Sequence, residues 1–365
     1  MKILVISLAG IGNTLMAAPM IKLLRKKYLN SHITVLVMFK GSREILEENP
    51  YLNEVILWDF INKPIFQSLA FLLNLRKQKI DISILSYPAN RIEYNLINFI
   101  IGAKIRIAHK YNKFTTKNLG FLNNKTIPED DEKHDIEENI RLVSLANLST
   151  EIKEDESILT EDGQPLWGKP KIYLTDKDKR FADNWLRERN LKYKTLIGIH
   201  AGTAPFKNQI QRRWDKEKFG ELGKELAEKY NATILLFGSN AEKDLKEDIQ
   251  KMIGENAFLV NDTTMRETSA LIEKCSLFIS SDSALMHIAA SLNVQCVSIF
   301  GPTNPKWVYP YKTKYIIVRK ELPCSPCFYY SQKPLSCKFK DFRCIKSITV
   351  DEVLSASDKM LSIRN

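Results

Sequence analysis

Residues 275–305, CSLFISSDSALMHIAASLNVQCVSIFGPTNP, decide how the rest of the chain is read. The apolar run at 277–279 suits a strand, 280–283 a polar turn, the apolar residues that follow a helix, and 294–300 a second strand stopping at Gly301, Pro302 and Thr303. Strand, helix and strand of these lengths make a βαβ unit, whose parallel strands bring their carboxyl ends to one edge of a sheet. Open parallel sheets bind ligands at that edge. A helix opening at Asp282 or Ser283 aims unpaired backbone N–H groups and the positive end of its dipole into the same crevice, which suits a phosphate. Asp282 and His287 are then expected beside one ligand. Taken singly, Asp282 reads as a helix N-cap and His287 as an ordinary helix histidine.

Outward from this unit the same alternation continues. Helix 176–190, strand TLIGIH, a polar loop at 201–211, helix 216–230, strand ATILLFG, helix 241–253, strand AFLV and helix 266–274 lead into it. The first half alternates as well: strand KILVIS, a loop at 8–14, helix 15–28, strands HITVLVMF and VILWDF, helix 65–79, strand DISILSY, helix 92–100 and strand AKIRIAH. Strands that read as continuous apolar runs belong to parallel sheets covered on both faces. At 365 residues the chain exceeds what one core usually supports, about 150 residues per domain. The pattern therefore predicts an α/β protein of two doubly wound, Rossmann-like domains facing one another, residues 1–168 and 169–348. Residues 112–138 read as polar and turn-rich, and 150–168 as a linker. A last helix at 350–363, within a terminal segment 349–365, is left over and is expected to pack back on the first half.

A formal net charge of +11, with 44% hydrophobic and 27% charged residues, describes a foldable globular chain that favours acidic partners: nucleotide diphosphates, nucleic acid or anionic lipid. Nucleic acid has no specific support, since there is no arginine-rich arm, zinc-finger spacing or aromatic RNP-like strand. Lys2 followed by an apolar run could mimic a signal peptide, but Gly10, Gly12, Asn13 and Thr14 interrupt that run and a helix follows. No apolar stretch reaches about 18 residues, so no transmembrane helix is expected and the cytoplasm is the expected location.

Gly10, Gly12 and Leu15 match only part of a GxGxxG fingerprint, and Lys40 stands where a ribose-binding acid would end the second strand. This disfavours a nicotinamide dehydrogenase. A glycine-rich loop there still lets a ligand approach the backbone, or simply serves a tight turn of positive φ. Gly202, Thr203, Lys207, Arg212, Arg213 and Trp214 cluster after strand TLIGIH, where forked arginine bonds could neutralise a diphosphate, or where the loop is simply basic and solvated. Glu242 could accept from ribose hydroxyls, or complement a helix dipole. The only DxD, Asp176 to Asp178, sits at a helix start, where capping explains it better than a catalytic cation. Cys275 and Cys296 read as core thiols. Cys324, Cys327, Cys337 and Cys344, spaced Cx2Cx9Cx6C, could ligate a structural zinc ion, form disulfides, or do neither. Residues 61–77 combine Phe66, Leu69, Phe71, Leu72, Leu73 and Leu75 with Arg76, Lys77 and the nearby Lys79; they could lie at a lipid interface, though a buried helix is the favoured reading.

SSDSALMHIAASLNVQCVSIFGPTNP, RRWDKEKF and FGSNAEKD resemble the signatures of glycosyltransferase family 9, the lipopolysaccharide heptosyltransferases, and the likeness runs over almost the whole chain. The resemblance implies a GT-B type fold with a deep interdomain crevice, and an inverting transfer that needs no metal or other cofactor. It also implies a nucleotide-sugar donor, ADP-heptose, on the C-terminal domain and a glycolipid or oligosaccharide acceptor on the N-terminal one, with peripheral contact to an anionic inner membrane face. Carried over by position, Gly202 and Thr203 contact the donor diphosphate, Arg212 replaces a phosphate-binding lysine, Glu242 holds the ribose and Met265 lies near adenine. Asp282, Ser283, Ala284 and His287 hold sugar and phosphate, with Ala284 where the family has glycine. The main departure is Gly12-Asn13, where the family has Gly-Asp. An amide cannot take up the acceptor proton, so either another base serves, leaving-group stabilisation suffices, or the chain only binds nucleotide sugar.

Overall fold

The structure is a computed structural model that describes residues 1–113, 117–146, 168–204, 206–330 and 333–362. Twelve strands are described: β1 (Lys2–Ser7), β2 (His32–Val37), β3 (Glu54–Leu57), β4 (Ile82–Leu85), β5 (Ile105–Lys110), β6 (Lys125–Pro128), β7 (Thr195–His200), β8 (Ala232–Leu236), β9 (Ala257–Leu259), β10 (Leu277–Ser281), β11 (Gln295–Ile299) and β12 (Tyr315–Val318). They form two six-stranded sheets, ordered β3-β2-β1-β4-β5-β6 and β12-β11-β10-β7-β8-β9, and every pairing is parallel. Two doubly wound α/β units are thus present.

The two compact units are Met1–Tyr173 with Tyr330, and Leu174–Tyr329 with the chain from Lys333 onward. The division falls at 173/174 rather than 168/169, because Ile172 and Tyr173 still belong with the first unit. The expected linker, 150–168, lies outside the described residues except for Gly168. The last helix, Val350–Ser362, belongs to the second unit and not to the first half: Val353, Ala356 and Met360 join a core with Leu226, Val297 and Ile299. Tyr230 and Lys229 hold its Asp358 at 2.6 and 2.8 Å. Its i, i+3, i+7 apolar spacing fitted any sheet face, and the nearest one covered it.

Three more local readings are corrected. The first helix is two, Ile11–Met16 and Ala18–Lys27, the second carrying Pro19 in its first turn, where a missing N–H costs nothing. The polar stretch 112–138 contains β6 and the start of helix Asp135–Arg141, whose N-terminus is closed by a capping box of His134 and Glu137. Helix Ile65–Lys77 is not a buried helix: it buries only Leu72 and Leu75, with Trp58 stacked on its Phe71 at 4.1 Å, and leaves Ile65 and Phe66 87% and 71% exposed.

In each sheet the strand order reverses at one place, between β1 and β4 in the first and between β10 and β7 in the second. Adjacent crossovers there depart to opposite faces, which opens a crevice at the carboxyl edge. The register puts Ile6 beside Leu85 and Ser280 beside His200. The loops that follow β1 and β4, and those that follow β7 and β10, are therefore neighbours.

Candidate functional site

The crevice of the second unit collects most of the expected donor-binding residues. Arg212 ends a 3-10 segment, Phe206–Arg212, in which Lys207 and Asn208 take left-handed backbone angles (φ 55 and 58). Such angles cost a non-glycine residue free energy and need outside support. The support comes from the chain near Leu335: Asn208 Nδ2 donates to its carbonyl at 2.8 Å and its N–H donates to Lys207 O at 2.9 Å. The guanidinium of Arg212 lies 5.3 Å from the Phe328 ring centre, while Phe328 N–H donates to Pro302 O at 2.9 Å. The cysteine-bearing segment thus forms a platform under Arg212.

Arg212 forms a close ion pair with the Asp282 carboxylate and donates to Asp282 O at 3.3 Å. Asp282 is 7% exposed, so the pair is largely desolvated, and removing one partner would strand the other charge. This corrects the N-cap reading of Asp282. The helix is Ala284–Ser291, its N-cap is Ser283, and neither side chain caps it. Ser283 Oγ instead meets His200 Nδ1 at 2.9 Å, and His200 Nε2 lies 3.6 Å from Glu242 Oε2.

Glu242 anchors the other side. Ser239 N and Oγ each donate to its Oε2 at 2.9 Å in a capping box, and Arg213 Nη2 donates to Oε1 at 3.3 Å. Burial alone would raise its pKa, but His200 and the Ser239 hydrogen bonds outweigh burial and hold it at about 2. The carboxylate is therefore charged at neutral pH. Lys246, itself buried, donates to Gly238 O and Val260 O, both at 3.0 Å, and so fixes the loop that carries Glu242.

The glycine at 202 is required by space. A Cβ there would strike the Glu242 carboxylate and come within 2.8 Å of His200 Nε2. Thr203 Oγ1 donates to Gln209 O at 3.0 Å, and Thr203 O accepts from Arg213 Nη2 at 2.9 Å, so the loop folds back on itself. Trp214, next to the arginines, is core: its ring is T-shaped to Phe219 and its Nε1 donates to Ile348 O at 2.9 Å. His287 is buried on helix Ala284–Ser291, and Met265 is the first residue of helix Met265–Glu273. His200 was missed in the sequence, although its place as the last residue of a central strand was a usable signal.

In the first unit, Gly10 is the N-cap of helix Ile11–Met16 with φ −64, and Gly12 is helical, so the tight turn of positive φ is not their reason. Asn13 is half-buried on that helix. A set of residues that the sequence did not single out lies beyond β4 and β5. Tyr330 Oη donates to Asp135 Oδ2 at 2.7 Å, and Tyr87 Oη donates to Glu129 Oε2 at 3.3 Å. Asn139 accepts from Tyr87 N at 2.9 Å and donates to Tyr87 O at 3.2 Å. Burial drives the Asp135 carboxyl well above its ordinary range. Beside this set, side-chain amides run in a hydrogen-bonded line: Asn98 to Asn123 at 2.7 Å, Asn123 to Asn95 at 2.6 Å, Asn118 to Asn90 at 2.8 Å. These residues fix the loop around Asn118–Asn124.

Asp178 caps helix Asp176–Glu188 with Thr175 and pairs with Arg266 at 2.5 Å, which occupies the DxD. The four clustered cysteines are free thiols, and among the described residues no group of three or more His, Cys, Asp or Glu is arranged to hold a metal ion. Cys275 and Cys296 are buried, and burial raises their pKa values far above the ordinary thiol range.

Comparison with known proteins decides the family. The model of glycosyltransferase family 9 (heptosyltransferase) matches residues 69–337. The chain belongs to glycosyltransferase family 9. Lipooligosaccharide heptosyltransferase 2 of Haemophilus ducreyi is 27% identical over 333 residues, 87% of this chain and 88% of that protein. The enzyme of the same name from Campylobacter jejuni serotype O:2 is 30% identical over 174 residues, 46% of this chain, a match that spans about half (51%) of that relative. The solved structure of Escherichia coli ADP-heptose LPS heptosyltransferase II has a TM-score of 0.75 at 22% identity, covering 100% of this chain and 99% of that one. The family 9 fold, of GT-B type with two parallel α/β units, is thus shared. In this family 9 chain, Arg212, Asp282, Ser283, His200, Glu242 and Gly202 come together at one carboxyl edge.

Proposed function

We propose that the chain transfers heptose from ADP-heptose to a hydroxyl of a lipopolysaccharide core or related glycan, with inversion at the anomeric carbon. The observation that carries this is the Arg212–Asp282 pair at the β7/β10 crevice. A cation held there faces the place where a diphosphate leaving group develops charge, and a preorganised, desolvated donor stabilises that charge without reorganising. The helix that starts at Ala284 adds backbone N–H groups to the same edge. Glu242, ionised and constrained by Ser239 and Arg213, serves as acceptor for ribose hydroxyls, and Gly202 lets the diphosphate approach the backbone. Met265 lies toward the adenine, Thr203 beside the diphosphate, and His287 and Ser283 toward the sugar.

The acceptor belongs to the first unit, near Gly12 and Asn13. Asn13 orients the hydroxyl by hydrogen bonding and takes no proton, so the acceptor proton passes to the departing diphosphate or to water, and the transfer relies on leaving-group stabilisation more than on a base at this position. An acceptor joined to lipid would hold the protein at an anionic bilayer on the cytoplasmic side.

Thermal melting of the full chain with a panel of nucleotide sugars tests the donor, since a ligand that binds the folded form alone raises the melting temperature. ADP-heptose is expected to give the largest rise, and a soluble core oligosaccharide to be extended when added with it. A panel in which UDP-sugars stabilise and ADP-heptose does not would overturn the reading.

A further inference from the structure

Helix Ile65–Lys77 has two apolar faces. One, with Phe71, Leu72 and Leu75, packs on the first sheet. The other holds Ile65, Phe66, Leu69 and Leu73, which fall within one side of the helix at 100° per residue and are 87%, 71%, 44% and 44% exposed. Its neighbour, helix Ile92–Ile101, exposes Leu96 and Phe99, and the short turn Gly120–Leu122 that packs beside that helix exposes Phe121 at 75%. Large apolar side chains are thus exposed on three adjoining elements. In the second unit the exposed large apolar residues, Tyr193, Ile210, Met252, Tyr315 and Phe339, are widely spaced along the chain.

The charge around this surface is mainly positive, with Asp59, Asp81 and Glu93 at its borders. Residues 60–80 contain Lys63, Arg76, Lys77 and Lys79 and no Asp or Glu, and residues 94–128 contain six lysines and arginines and again no acid. Several cations have local partners: Arg76 donates to Ile100 O at 3.2 Å, Arg106 lies over the Phe99 ring at 5.7 Å, Lys63 lies over the Trp58 ring at 5.7 Å, and Lys104 pairs with Asp81 at 2.8 Å. Lys63, Lys77 and Lys79 are exposed. An apolar stripe bordered by lysines is the pattern of a helix lying in a lipid interface, where side chains such as Phe66 enter the acyl boundary and the cations meet phosphate headgroups. A second protein copy would bring the same positive charge against itself.

We infer that the outer face of helix Ile65–Lys77, with Leu96, Phe99 and Phe121, docks the first unit on an anionic phospholipid bilayer. The inference deepens the proposed function, since a lipid-linked acceptor is presented at such a surface, but its test does not depend on transfer. Full-length protein is sedimented with vesicles of phosphatidylglycerol and phosphatidylcholine, and with phosphatidylcholine alone. Binding is expected to the anionic vesicles, to weaken with salt, and to fall at least about tenfold in Phe66→Glu/Leu69→Glu. That variant is expected to keep its melting temperature and its rate on a soluble acceptor. A milder variant, Lys77→Gln/Lys79→Gln, should lose part of the anionic preference only. Wild-type protein that stays in solution, equal binding by the acidic variant, or a wild-type dimer that this variant dissociates would each overturn the inference. Vesicle binding without any sugar transfer would instead overturn the proposed function and leave the docking surface standing.

Discussion

The two units share one topology, each with a strand-order reversal that opens a crevice, yet their carboxyl edges are built from opposite chemistry. At the β7/β10 edge charged groups are paired, Arg212 with Asp282 and Arg213 with Glu242, and His200 Nε2 lies 3.6 Å from the Glu242 carboxylate. At the β1/β4 edge and the neighbouring strand ends, amides, tyrosines and the buried Asp135, whose protonated form burial favours, hold the loops, and the residue on the glycine-rich helix is the neutral Asn13. The difference shows what a doubly wound sheet supplies and what it does not. The crossover reversal opens the crevice; the side chains that line it decide its chemistry.

The sharpest way to break this contrast is Arg212→Ala. It removes the cation and leaves Asp282 buried without its partner, so kcat/KM for transfer should fall by about 10²- to 10³-fold. Steady-state kinetics on folded variant protein would show it, and an unchanged rate would place the diphosphate elsewhere. Gly202→Ala comes next. The added methyl has no room beside Glu242 and His200, so donor affinity should drop by about tenfold or more with a smaller change in kcat, as uniform binding is lost. Donor titration calorimetry separates the two. The smallest effect is expected in the first unit: Asn13→Asp should change kcat by less than about tenfold and add a pH dependence in the carboxylate range, because a base there would help a reaction carried mainly by the leaving-group side. Turnover that appears only in the aspartate variant would make the natural chain a binding protein.

Much of the fold was legible because it is local. Helix Lys216–Tyr230 and strands β1 and β7 occur where the apolar pattern places them, and the βαβ unit at 275–305 needed no more than strand length and a polar turn. The short strand β6 and helix Asp135–Arg141 were hidden because polar residues cap and bury there through hydrogen bonds, not through apolar spacing. Helix Ile65–Lys77 misled for the reverse reason. Its composition announced burial, but apolar residues on every side give no sign of which face meets the sheet.

The sequence by itself determined the alternation of strands and helices, the doubly wound class, the family resemblance, and which residue types stand at the strand ends. Only the tertiary structure decided the partners: Arg212 with Asp282, 70 residues apart, and His200 with Ser283, 83 apart, meet because the β7/β10 register sets those loops side by side. It also turned Asp282 from a helix cap into the counter-ion of Arg212, and assigned the last helix to the second unit. The reason is physical. Backbone periodicity is written in neighbouring residues, whereas pairing in a crevice depends on sheet order and register, which distant segments settle together as they pack.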